Sequence, residues 1–347
     1  MTTEIPGVTS RIRTFLLILT LFGALPMCAT DAPWQLQLRE RLARIMGPLP
    51  VDKASAPLDV QTESVKDLGD FERRRISYQA EPGGRVPAYL LVPKAALAPD
   101  AGRRFPAALA LHQTHPAGSK VVVGLGNSPD DDYGVELVRR GYVVLAPPYP
   151  WLAGYEPDLK GLGYDSGTMK AIWNNIRGLD LLASLPFVAS ERGFGCIGHS
   201  LGGHNGLFTA AWDTRITVVV TSCGFDSFRD YYDGDPKVWM PEKGWCQSRY
   251  MPRLLEYRGN LAALPFDFPD VLALIAPRRV VVSAPLGDSN FRWRSVDRVV
   301  NEARWKVASE GEIARITVLH PNAPHRFPPE QRNHAYRVMD RVLRSSP

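Results

Sequence analysis

Four cysteines in 347 residues are too few for a disulfide-built scaffold. Their spacing contains no C-x-x-C, and the seven histidines contain no His-x-x-x-His pair, so no zinc site is expected. The net charge is +5 and the pI about 9.0, yet no long basic run with interleaved aromatics exists. The basic residues are scattered, at Arg73 to Arg75, Arg278 and Arg279, Arg292 and Arg294, and Arg337 to Arg344. A nucleic-acid partner is therefore not expected. Internal repeats and low-complexity tracts are also missing. Hydrophobic content of 45% and charged content of 22% exclude a disordered chain and allow one large α/β domain.

Only the N-terminus carries a long apolar run. Arg11 and Arg13 precede Thr14–Met27, a length that suits the core of a signal peptide and is short for a membrane span. Residues 1–29 are expected to be a signal, cleaved after Ala29, so that the protein is exported to the periplasm or secreted. Two alternatives bring it to a membrane: lipid attachment at Cys28, and an uncleaved anchor. Of the other cysteines, Cys196 reads as a buried small hydrophobe. An oxidising compartment would permit a Cys223–Cys246 bridge.

Beyond the signal, residues 30–69 read as an N-terminal helical segment, with a short amphipathic helix over 33–47. Residues 70–347 read as the catalytic domain. Arg74–Gln79 and Val86–Val92 are antiparallel-type strands around a Pro82-Gly83-Gly84 turn. Strands at Pro106–His112, Tyr142–Ala146, Ile216–Thr221, Val280–Ser283 and Ile316–Leu319 follow. Helices are expected at Asp131–Arg140, Met169–Leu185, Asn205–Trp212 and Glu330–Arg344. Strands that are apolar throughout and alternate with helices imply a mostly parallel sheet with helices on both faces. Residues 226–265 are rich in Asp, Trp, Tyr and Pro. They break the alternation and read as an insertion over the sheet edge.

The chemistry centres on Gly198-His199-Ser200-Leu201-Gly202, a G-x-S-x-G pentapeptide between an apolar strand and a small-residue helix. That context makes Ser200 a nucleophile on a sharp turn, whose crowding demands the small residues Gly198, Gly202 and Gly203. A serine needs a base to take its proton and an acid to orient the base. In such sheets the chain order is Ser, Asp/Glu, His, on loops after later strands. His325, fenced by prolines after the strand Ile316–Leu319, is the expected base, with His320 and His334 as structural histidines. Asp288, after the strand Val280–Ser283, is the favoured acid. Asp226, which follows the strand next to the nucleophile strand, is the alternative. Asp131 and Asp132 read as a helix N-cap and acidic first turn.

The oxyanion hole needs two backbone donors. One is expected from Leu201 and the other from the loop after Pro106–His112, at Thr114 or Gln113. His112 reads as a buried residue that holds this loop, and His199 and His204 as packing residues.

Leu111-His-Gln-Thr114, Gly141–Pro147, Tyr164-Asp-Ser-Gly-Thr-Met-Lys170, Gly198–Gly203, Arg249-Tyr-Met-Pro252 and Pro285–Asn290 together resemble the dienelactone-hydrolase-like branch of the α/β hydrolases. Acetylxylan and glucuronoyl esterases are its cousins. The resemblance spans about residues 70–345. It implies the α/β-hydrolase fold and acyl transfer without metal or cofactor. Dienelactone hydrolases carry a cysteine nucleophile where this chain has Ser200. Glucuronoyl esterases have an arginine after the serine, where this chain has Leu201. Many relatives read His-Gly where this chain has His112-Gln113. The expectation is an exported serine esterase acting on short acyl or carbohydrate-linked esters, with Tyr231, Tyr232, Trp239, Trp245 and Tyr250 as an aromatic wall or as packing of the insertion. Two alternatives are a serine peptidase of the prolyl oligopeptidase type, whose propeller has no counterpart here, and a non-catalytic binding protein of the same fold.

Overall fold

The computed structural model describes residues 31–98 and 102–344. The expected signal, with Cys28, lies outside the described residues. Among the described residues, nine strands form one sheet: β1 (Gln61–Asp67), β2 (Phe71–Glu81), β3 (Gly84–Pro93), β4 (Ala107–Leu111), β5 (Val143–Ala146), β6 (Phe194–His199), β7 (Ile216–Ser222), β8 (Arg279–Ser283) and β9 (Arg315–Leu319). Their spatial order is β1-β2-β3-β5-β4-β6-β7-β8-β9. The β1–β2, β2–β3 and β3–β5 pairs are antiparallel, and every pair from β5 to β9 is parallel.

The apolar central strands alternate between two cores, because successive side chains point to opposite faces. Leu109 and Leu111 of β4, Cys196 of β6 and Val280 and Val282 of β8 enter one core. Ala108 and Ala110, Ile197 and Val281 enter the other. The first core is covered by α1 (Pro33–Met46), α3 (Gly167–Ser184), α4 (Leu201–Trp212), α5 (Phe268–Ile275) and α6 (Trp293–Ser309). The second is covered by α2 (Tyr133–Arg139) and α7 (Pro329–Leu343). Among the described residues, no helix is long and apolar enough to cross a membrane.

One buried ion pair ties the antiparallel strands to α3. Lys170 Nζ lies 2.6 Å from Glu81 Oε1, with both side chains at most 1% exposed. Tyr164 donates to the other Glu81 oxygen at 2.8 Å, and Asn174 Oδ1 accepts from Lys170 at 2.6 Å. Satisfying the pair this way offsets the cost of removing two charges from water.

Several expectations need correction. The 30–69 segment is helical over Pro33–Met46, but it ends in a strand. β1 is exposed at all seven positions and pairs with β2 at the sheet edge, so it carries no apolar periodicity. The Asp131–Arg140 helix begins at Tyr133, after a short 3-10 turn over Pro129–Asp131. α5 and α6 were not anticipated. The 226–265 segment follows β7, and its chain hydrogen-bonds the first turn of α3, where Gly167 N–H donates to Ser248 O and Thr168 N–H to Tyr250 O. Cys196, Cys223 and Cys246 are buried and unbridged.

Candidate active site

The sheet places the serine at a forced turn. β6 ends at His199 and α4 begins at Leu201, leaving Ser200 with φ 51° and ψ −122°. A non-glycine residue adopts this backbone only when its surroundings impose it. They do so here through close packing. A Cβ on Gly198 would overlap the backbone of Gly202, and a Cβ on Gly202 would overlap the carbonyl of Leu111 at the end of β4. Ser200 N–H donates to Ser222 O of β7 at 2.7 Å, and Ser200 O accepts from His204 N–H at 3.0 Å. All twelve residues of α4 are buried.

The loops after β8 and β9, which carry Asp288 and His325, are stitched together. Ala284 N–H donates to Leu319 O, Leu286 N–H to Pro321 O and Gly287 N–H to Ala323 O, each at 2.9–3.0 Å. This brings His325 Nδ1 to 2.9 and 3.0 Å from the two oxygens of Asp288. The Asp288 side chain is 1% exposed and that of His325 26%. Burial pushes the Asp288 carboxyl up. The His325 imidazole and the backbone N–H groups of Phe291 and Asn290 outweigh it and hold the group below its ordinary value. Asp288 is thus an anion that fixes the imidazole, with Asn290 and Phe291 N–H at 2.8 and 3.1 Å. The His325 ring centroid lies 4.9 Å from that of His199, the residue before the serine. The Ser200 hydroxyl has no hydrogen bond to His325 among the described residues, and such bonds commonly tighten only with substrate present.

Asp226 is buried elsewhere. It accepts from Arg292 N–H at 3.3 Å, and burial pushes its carboxyl up to about 8. It makes no hydrogen bond to His325. His320 is structural, with Nδ1 at 2.8 Å from Ala284 O and Nε2 at 3.0 Å from Asp297.

The loop after β4 is held by His112. Its Nδ1 donates to Gln113 O at 2.7 Å and its Nε2 accepts from Tyr149 N–H at 2.9 Å. Burial lowers its pKa to about 4, so the ring stays neutral. The N–H groups of Gln113 and Thr114 reach no protein acceptor among the described residues, and Leu201, first in α4, has no intrahelical acceptor. These are donors available to a developing anion.

The aromatic residues divide. Trp245 stacks on His204 at 4.2 Å and 9°, and on Phe291 at 6.3 Å and 15°. Phe291 lies 5.9 Å from His325, Tyr250 lies 5.2 Å from Trp245, and Tyr250 Oη lies 3.3 Å from Thr114 Oγ1. A continuous wall therefore runs from His325 to the loop after β4. Tyr231 packs against it, and Tyr232 is half exposed beside Asn290. Trp239 is 1% exposed against Phe228 and belongs to the core. Phe291 and Tyr149, which complete the wall, were not anticipated. Both lie in loops, where no periodicity flags them, and Tyr149 joins the wall 5.9 Å from Tyr250.

Cys223, Asp288 and His325 place ligand atoms within 4.8 Å of one another. The donor set fits a metal poorly. Asp288 and His325 are committed to each other, and burial with the nearby Asp288 charge holds the Cys223 thiol well above its ordinary value. The 590 Å³ cleft lined by Pro82–Arg85 and by Tyr155, Glu156 and Leu162 contains none of these residues.

No family model matches the chain. It is 25% identical over 320 residues to the protein named "Putative hydrolase YtaP" of Bacillus subtilis (strain 168), covering 88% of this chain and 98% of that one. Among solved structures it is similar to a glucuronoyl esterase from Solibacter usitatus, with TM-score 0.65, 16% identity and 90% and 92% of the two chains covered. It is also similar to acetyl xylan esterase 1 from Thermoanaerobacterium sp. JW/SL YS485, with TM-score 0.60, 16% identity and 89% and 93% covered. The chain has the α/β-hydrolase fold.

Proposed function

We propose that the chain is an exported serine esterase that hydrolyses short acyl or carbohydrate-linked esters through Ser200, His325 and Asp288. The observation that carries this reading is the His325 imidazole, held by both oxygens of a buried Asp288 and lying against His199 at the serine turn. Ser200 Oγ attacks the ester carbonyl carbon while His325 Nε2 takes its proton. The carbonyl oxygen becomes an oxyanion, with the N–H groups of Leu201 and of Thr114 or Gln113 as donors. His325 then returns the proton to the departing alcohol oxygen, leaving an acyl-Ser200. Water, deprotonated by the same imidazole, releases the acid and restores the serine. The esterases with this fold support ester chemistry, and the run Arg11–Met27 supports export.

An amide is a harder substrate because its ground state is resonance-stabilised and its leaving nitrogen must be protonated. Measurable kcat/KM is expected for 4-nitrophenyl acetate and none for a proline-containing peptide amide. A fluorophosphonate probe should label Ser200 alone, and Ser200→Ala should lose both labelling and turnover while keeping its melting temperature. A faster amide reaction would promote a peptidase, and activity retained in Ser200→Ala would overturn the mechanism.

A further inference from the structure

Arg249 belongs to a sequence motif that the triad leaves unexplained. It is half-buried, and its guanidinium sits 5.7 Å from the Tyr250 ring centroid. It forms no ion pair or hydrogen bond among the described residues. The carboxylates nearby are committed elsewhere: Glu242 accepts from Ser248 N–H and Oγ–H, and Asp165 pairs with Arg253 at 3.1 Å. The backbone that launches Arg249 is fixed. Ser248 O and Tyr250 O accept the first N–H groups of α3, and a Cβ on Gly167 would overlap the Arg249 carbonyl. Burial holds the Tyr149 and Tyr250 hydroxyls above their ordinary value, and the Arg249 cation offsets a small part of that at both. Tyr250 in turn touches Thr114 of the oxyanion loop and Trp245 of the wall that reaches His325.

An unpaired guanidinium on a fixed backbone, one residue from the wall of the site, is a preformed anchor for an anion. Partial burial favours it further, because charge pairs strengthen as water is excluded. Resting on the esterase reading, we infer that Arg249 binds a carboxylate on the substrate, so that preferred esters carry an acid group beyond the scissile bond. The acid group belongs either to the acyl half, as in a dicarboxylic acid half-ester, or to the alcohol half, as in an acetylated uronic acid.

The test compares anionic with neutral esters. The acyl arm sets mono-4-nitrophenyl succinate against 4-nitrophenyl butyrate, and the alcohol arm sets acetylated glucuronate against acetylated glucose. In Arg249→Gln the anionic-to-neutral ratio of kcat/KM should fall about tenfold to a hundredfold in one arm, the range of a hydrogen bond to a charged group. The change should lie in KM, and Arg249→Lys should restore part of it. Binding of sodium succinate and sodium glucuronate, followed by tryptophan fluorescence, should weaken in parallel. Ratios unchanged in both arms, with unchanged binding, would overturn the anchor. Absence of turnover on every ester, with binding of one anion still lost in Arg249→Gln, would overturn the esterase reading and leave the anchor standing. Circular dichroism of both variants separates either outcome from misfolding.

Discussion

Replacing Asp288 by asparagine tests the site most directly, because the structure says what the substitution does to each proton. Asp288 Oδ1 accepts from the N–H groups of Asn290 and Phe291, and both oxygens accept from His325 Nδ1. An asparagine has one oxygen to keep the two backbone bonds, so its NH2 group turns toward His325. Nδ1 must then accept, which moves the ring proton to Nε2, the atom that should receive the serine proton. The charge that stabilises the imidazolium is lost at the same time. Loss of both effects in the serine triad costs about 10⁴ in kcat, or about 5.5 kcal/mol in the barrier. We expect a loss of this size on 4-nitrophenyl acetate, with KM little changed. Asp226→Asn should keep kcat within about tenfold, because Asp226 bonds Arg292 N–H rather than a histidine. A larger loss in Asp226→Asn than in Asp288→Asn would refute the assignment of the acid.

The fold and its pH response supply the other predictions. Lys170→Met leaves Glu81 buried without its cation and should cost about 3–5 kcal/mol in chemical denaturation, while adding Glu81→Leu should recover much of it; a double variant no better than the single one would contradict this account. Asp226, held at about 8 in the fold, releases its proton on unfolding between about pH 4 and pH 8, so its contribution is full below pH 4 and is lost as the pH rises to 8. The melting-temperature advantage of Asp226→Asn over the parent chain should therefore grow from pH 4 to pH 8, and a constant difference would show that Asp226 is ionised throughout.

The parts of the fold legible in the sequence are those whose signal is local. β4 to β8 are buried on both faces and read as continuous apolar runs, and the Pro82-Gly83-Gly84 turn falls where β2 meets β3. β1 exists only through its ladder with β2. Its composition, Q-T-E-S-V-K-D, suits solvent, so no window of sequence separates it from a loop. α6 is a different kind of omission. Val296, Val299, Val300, Ala303 and Val307 form a buried stripe at helical spacing, and the pattern was available between the strands Val280–Ser283 and Ile316–Leu319. Charged residues between the valines, Asp297, Arg298, Glu302, Arg304 and Lys306, mask the stripe.

The site shows the same divide between local and assembled signals. The serine turn was legible because its glycines fall within five residues: Gly198 is kept small by Gly202, and Gly202 by the end of β4. The pairing of Asp288 with His325 followed from chain order, since parallel strands β8 and β9 deliver the loops after them to the same end of the sheet. Asp226 also follows a parallel strand, so order alone could not decide between the two carboxylates. What separates them is reach and solvation. The Asp288 loop is hydrogen-bonded to the His325 loop, and three N–H donors keep its buried carboxylate ionised. Asp226 has one backbone donor and a raised pKa, so near neutrality it is a poor partner for an imidazolium. Orienting a base requires a charge that survives burial, and the number of donors around each carboxylate becomes visible only once the loops are folded together.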